Sequence, residues 1–97
     1  MPDSTWPFPD DPDTRAITTN RVLAGVYPIV LVTHEASDGA WQFLCATTNA
    51  PEDARVMNLS EALFLDATLA EVADLPRGWG AERAAAGSPW NRFEQAG

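Results

Sequence analysis

Apolar and polar positions alternate or cluster along this chain in a way that marks out several short elements. Ala16-Ile17-Thr18-Thr19 reads as a short strand. Thr19 is placed to cap a brief helix through Asn20-Arg21-Val22-Leu23-Ala24, with Gly25 as its stop. Pro28 opens the clearest strand, residues 29–34, whose run Ile29-Val30-Leu31-Val32 predicts a central strand covered on both faces. A second β-prone run, residues 41–46, follows Asp38-Gly39. Asp-Gly between two such runs predicts a two-residue type I′ hairpin, because that turn needs two residues with positive φ. The pairing is then Ala36 with Trp41, His34 with Phe43 and Val32 with Cys45, all on one face. A longer loop that shifts the register by two residues keeps that face intact.

Residues 49–53 read as a loop and residues 55–58 as a third strand of the hairpin sheet. Ser60 is the expected N-cap of the next helix, with Glu61 near its positive end and Leu59 stapled against Phe64. Asp66 interrupts that helix and re-caps a second piece over residues 67–73, with Leu65, Leu69, Val72 and Ala73 on one side. Residues 78–83 read as a last strand, and Gly87-Ser88-Pro89-Trp90 leads into a tail holding Trp90 and Phe93. Strands, then helix, then strand predict an α+β fold: a small antiparallel sheet built on a central hairpin, with one or two short helices packed on one face.

Composition sharpens this picture at the N-terminus. Pro2, Pro7, Pro9 and Pro12 make residues 1–14 an extended, Pro- and Asp-rich arm, since proline lacks an amide donor and fixes φ. Trp6 and Phe8 are expected to pin the arm onto a single domain spanning residues 15–97. At 97 residues there is room for one modest core, and four Trp and four Phe can anchor it.

Charge bears on partners. Six Arg, no Lys and fourteen acidic residues give a formal net charge of −8. Nucleic acid and anionic membranes are therefore not expected as partners, whereas a basic protein would be attracted at long range. The start of the chain shows neither a basic n-region nor an apolar h-region, and one cysteine forms no internal disulfide, so a cytoplasmic location is expected. An exposed sheet edge makes a homodimer an expectation as well.

Candidate chemistry changes little. His34 and Cys45 are the only pair from which an activated nucleophile could be drawn. They read instead as a half-buried strand-end histidine and a buried apolar cysteine. One His and one Cys make no zinc site, the acids lack EF-hand spacing, and no phosphate-loop or nucleophile-elbow motif occurs. No cofactor and no enzymatic activity are expected. Trp41, Phe43, Trp79, Arg83 and Trp90 form the candidate interaction surface, since Trp and Arg dominate interface hot spots. Arg77, Arg83 and Arg92 could stack on Trp79 and Trp90. A small-ligand or regulatory module with an aromatic-lined pocket near Trp41, Trp79 and Trp90 is the alternative.

Pro28-Ile29-Val30-Leu31-Val32, His34-Glu35, Asp38-Gly39-Ala40-Trp41-Gln42-Phe43, Asp66-x-Thr68-Leu69 and Leu75-Pro76-x-Gly78-Trp79-x-Ala81-x-Arg83 together resemble a family of small uncharacterised bacterial proteins. Through Gly39-x-Trp41-x-Phe43 and Asp66 the chain is more distantly similar to a domain of unknown function, some members of which are predicted immunity proteins of bacterial toxin systems. The resemblance covers roughly residues 7–92, and its motifs name no chemistry; the −8 charge, the aromatics and the lack of an assembled site make a non-enzymatic interaction protein the leading expectation, with an immunity-type inhibitor docking on a basic partner as its specific form. The resemblance carries no catalytic residues.

Overall fold

Arg15–Thr19 forms β1, and Thr19 Oγ1 accepts from the Val22 amide to cap α1, Asn20–Leu23. The chain reverses through Gly25, at φ 76°, into β2, Leu31–His34, and then forms β3, Trp41–Leu44. A 3-10 turn, Pro51–Asp53, leads to β4, Ala54–Asn58, and directly into α2, Leu59–Leu65. A 3-10 helix, Ala67–Val72, connects to β5, Trp79–Glu82, and β6, Asn91–Glu94, closes the sequence of elements. These elements come from a computed structural model that describes residues 6–46 and 51–95. Asn49 and Ala50 of the expected loop, and the first five residues of the expected arm, lie outside the described residues.

The fold is α+β, but the sheet differs from the expected one. The described strands form one six-stranded sheet in the order β4-β1-β3-β2-β5-β6. It is mixed, because β1 pairs with β3 in parallel. The geometry makes this unavoidable: the turn through α1 reverses the chain, the hairpin reverses it again, and β1 lies beside β3. Residues 55–58 do form a strand, yet β4 pairs with β1 at the sheet edge and not with the hairpin. β6 had no expected counterpart, since Asn91-Arg92-Phe93-Glu94 offers a single apolar residue to the pattern.

The hairpin register is displaced by two residues. His34 stands opposite Trp41 and Val32 opposite Phe43, so the expected face survives. No non-glycine residue has positive φ among the described residues, which excludes the type I′ turn at Asp38. The loop instead closes through Glu35 N–H to the Ala40 carbonyl (2.8 Å) and Gly39 N–H to the Glu35 carbonyl (3.0 Å). Asp38 Oδ1 accepts from the Ala40 amide, and Gly39 alone takes the left-handed conformation, at φ 73°.

The α2 cap is Asn58, two residues earlier than Ser60. Its side chain accepts from the Glu61 amide while Glu61 reaches back to the Asn58 amide, a complete capping box. That shift moves the staple position from Leu59/Phe64 to Met57/Ala62, both buried, and leaves Phe64 90% exposed. Asp66 caps the second piece as expected, accepting from the Thr68 amide, but the piece winds as a 3-10 helix. Leu69, Val72 and Ala73 are buried, whereas Leu65 turns outward.

The core lies on one face of the sheet. Ala16, Val32, Trp41, Phe43, Met57 and Ala81 cluster there with Leu59 and Ala62 of α2 and with Leu69, Val72, Ala73 and Leu75. The N-terminal arm belongs to the same core. Phe8 is 4% exposed and packs edge-on against Trp41 and Phe43, with ring centroids 5.2 and 6.4 Å away. Trp6 packs beside it, and its indole N–H donates to the Asp10 carbonyl. No helix of the described residues is long and apolar enough to cross a membrane.

Candidate interaction surface

The five residues expected to make an interaction surface are not presented together. Trp41 and Phe43 have no exposed area and stack 6.2 Å apart in the core. The Trp41 indole N–H donates to Asp10 Oδ2 at 2.9 Å, so its polar tip is satisfied by the arm. Trp79 and Trp90 are half-buried and pack against the core cluster. With no exposed area, Trp41 lines no open surface beside Trp79 and Trp90.

Arg83 is buried and acts as a bracket between elements. Its Nε and Nη2 donate to the Ile29 carbonyl, Nη1 donates to Thr68 Oγ1 at 3.0 Å, and Nη2 pairs with Asp66 Oδ2. Its guanidinium also lies 4.1 Å from the centre of the Trp90 ring. Of the expected Arg–Trp stacks, the structure thus forms Arg83 on Trp90. Burial pushes the Asp66 carboxyl up, but hydrogen bonds from Thr68 and Arg83 outweigh it and hold the group below its ordinary value. Arg92 turns away to the Glu71 carbonyl and to Asp74, and its hydrogen bond holds the Asp74 carboxyl below its ordinary value. The guanidinium of Arg77 lies against the backbone of Gly39.

His34 and Cys45 stand apart. His34 sits level with Trp41, four residues and about 13 Å along β3 from Cys45. The His34 ring stacks on Trp41, centroids 3.9 Å apart, and its Nδ1–H donates to the Leu75 carbonyl at 2.8 Å. Cys45 is 2% exposed, with Thr19 Oγ1 3.8 Å from its sulfur. Among the described residues no cluster of three His, Cys, Asp or Glu side chains could hold a metal ion.

A different surface does present apolar side chains to solvent. Leu23, Val26, Tyr27, Phe64 and Leu65 are 39–90% exposed. One groove is lined by Leu23, Ser60, Glu61, Phe64 and Leu65. A second, lined in part by Val22, Val26, Tyr27, Pro28 and Asp66, shares Leu65 with it, so the patch is continuous from α1 to α2. Acidic groups border it: Glu61 and Asp66 line the grooves. The sequence held a signal for this patch. With the cap at Asn58, helical spacing carries Leu59, Ala62 and Leu63 inward and leaves Phe64 and Leu65 outside. The adjoining Val26-Tyr27 carries no such periodicity.

No protein-family model, curated protein or solved structure matches this chain.

Proposed function

We propose that this domain is a non-enzymatic protein-interaction module that docks on a basic partner protein, in the manner of an immunity-type inhibitor. The observation that carries the reading is Phe64. A phenylalanine left 90% exposed on a fully capped helix, beside four other exposed apolar side chains, is a patch of the kind that marks a binding site. Its acidic border supplies the charge complement. Glu61 and Asp66 line its grooves, and the whole chain carries −8, so a basic partner is drawn in and a second acidic one repelled. The partner is then expected to bring an apolar protrusion ringed by Lys or Arg. His34 and Cys45 favour no competing chemistry, since one is fixed to a backbone carbonyl and the other is packed in the core.

The test is site-specific photo-crosslinking in cells that make the protein, with the probe placed at Phe64, at Val26 and at the exposed hairpin residue Ser37, past the opposite end of β2. Patch probes are expected to capture one basic protein that the Ser37 probe does not. High salt should slow its association, since steering between opposite charges is screened. Phe64→Ser should abolish capture while leaving stability within about 0.5 kcal/mol, as for an exposed site. An acidic partner, or capture that Phe64→Ser leaves intact, would overturn the proposal.

A further inference from the structure

Among the described residues no helix covers the second face of the sheet, and its side chains point to a specific occupant. Residues alternate along each strand, so those between the core positions face away from the core. The strand pairings align Val56, Ile17, Gln42, Thr33, Gly80 and Phe93 in one row across all six strands. The next row on that face holds Leu44, Leu31 and Glu82. Ile17, Leu31 and Leu44 lie outside the core cluster and are partly exposed, and Val56 is 53% exposed. Two of the face's charged groups, Arg15 and Glu82, are exposed and make no hydrogen bond or ion pair among the described residues. Asp13 and Glu61 border the same groove as Arg15 without reaching ion-pair distance.

The positions of those two charges are symmetric about the middle of the face. From Arg15 to Glu82 is three strands across and four residues along, about 14 Å in each direction. The midpoint falls between Thr33 and Gln42, which are hydrogen-bonded to each other at 3.3 Å. A two-fold axis through that midpoint, lying in the contact plane and perpendicular to the Arg15–Glu82 line, exchanges the two positions. We propose that this face pairs with the same face of a second copy, Arg15 of each chain meeting Glu82 of the other.

Because the two displacements are equal, the axis lies at about 45° to the strands, and the two sheets cross at about 90°, one of the two favoured sheet packings. The same rotation sets Ile17 of each copy between Leu31 and Leu44 of the other. The contact is isologous and closes as a dimer. Charge selects this occupant: the face pairs one cation with one anion and complements itself, while a basic partner is drawn to the acidic border of the Phe64 patch.

Sedimentation equilibrium of the full chain, up to millimolar concentration at physiological salt, tests the pairing. A monomer–dimer equilibrium is expected. Arg15→Glu or Glu82→Arg alone places like charges together twice per dimer and should weaken association by roughly tenfold or more. The double swap, Arg15→Glu with Glu82→Arg, should restore it. Both sites are exposed, and a melting curve on each variant checks folding. A chain that stays monomeric overturns the proposal, as does a dimer that the single swaps leave intact, or one that Phe64→Ser abolishes. The charge swaps leave partner docking untouched, because Arg15 and Glu82 line neither groove of the Phe64 patch.

Discussion

Arg83 and Asp66 meet where three segments converge: the end of β5, the lead into β2 and the cap of the 3-10 helix. The guanidinium is 1% exposed and the carboxylate 20%, and the same arginine donates twice to the Ile29 carbonyl and once to Thr68. Burying a charge is costly unless it is paired and hydrogen-bonded, and here four of the five N–H donors go to a carbonyl, a hydroxyl and a carboxylate. Arg83→Met removes that bracket and leaves the Ile29 carbonyl unpaired. It should cost about 3 kcal/mol, the range for breaking a buried pair from one side. Arg83→Lys should recover little, since a point charge cannot reproduce the planar fork. Urea unfolding followed by tryptophan fluorescence checks both.

Asp66 also makes stability depend on pH in a definite direction. Its folded pKa lies below the ordinary value of 3.8, so the unfolded chain binds its proton first as pH falls. The stabilisation is therefore complete well above pH 3.8 and is lost as pH drops through the folded value. Asp74 acts in the same sense but contributes less, because its carboxylate is 76% exposed and the pair is screened. Asp66→Asn keeps a competent cap while removing the charge. Unfolding measured across the acid range should show a shallower pH dependence in Asp66→Asn than in the parent.

The N-terminal arm is expected to be indispensable. Phe8 fills the space over Trp41 and Phe43, and Asp10 satisfies the Trp41 indole. Phe8→Ala should destabilise by about 3–5 kcal/mol, as for a fully buried aromatic. Asp10→Ala should cost about 1–3 kcal/mol by stranding a buried N–H. If the arm were a detachable tail, neither change would move the melting temperature.

Gly80 and Phe93 form a complementary pair on the opposite face. A Cβ at Gly80 would stand 2.7 Å from Phe93 Cζ and 3.0 Å from the Val32 carbonyl oxygen. Gly80→Ala should therefore cost about 1–3 kcal/mol through forced displacement of β6 or its ring. Phe93→Leu should relieve part of that cost, giving a favourable coupling in a double-mutant cycle. Equal costs with and without Phe93 would place the strain on the Val32 carbonyl alone.

What the sequence determined by itself was local. Thr19 capping α1, Asp66 re-capping the second helical piece, a central strand within the 29–34 run (though Leu31 is partly exposed, so the run is not covered on both faces) and the alternation through Trp41-Gln42-Phe43 all follow from side-chain chemistry within a few residues. The positions that local pattern misassigned were those with neighbours distant in sequence. Asp38-Gly39 favours a tight turn, but the pairing of β2 and β3 between β1 and β5 selects a longer one. Ser60 and Asn58 are both good caps, and the run of β4 against β1 up to Asn58 decides between them. The aromatics show the limit most clearly. Trp41 and Phe64 are alike in hydrophobicity, yet one is sealed by an arm thirty-one residues away, through Asp10, and the other stands in solvent. Burial is a property of what covers a residue, and only the tertiary structure decides which segment does the covering.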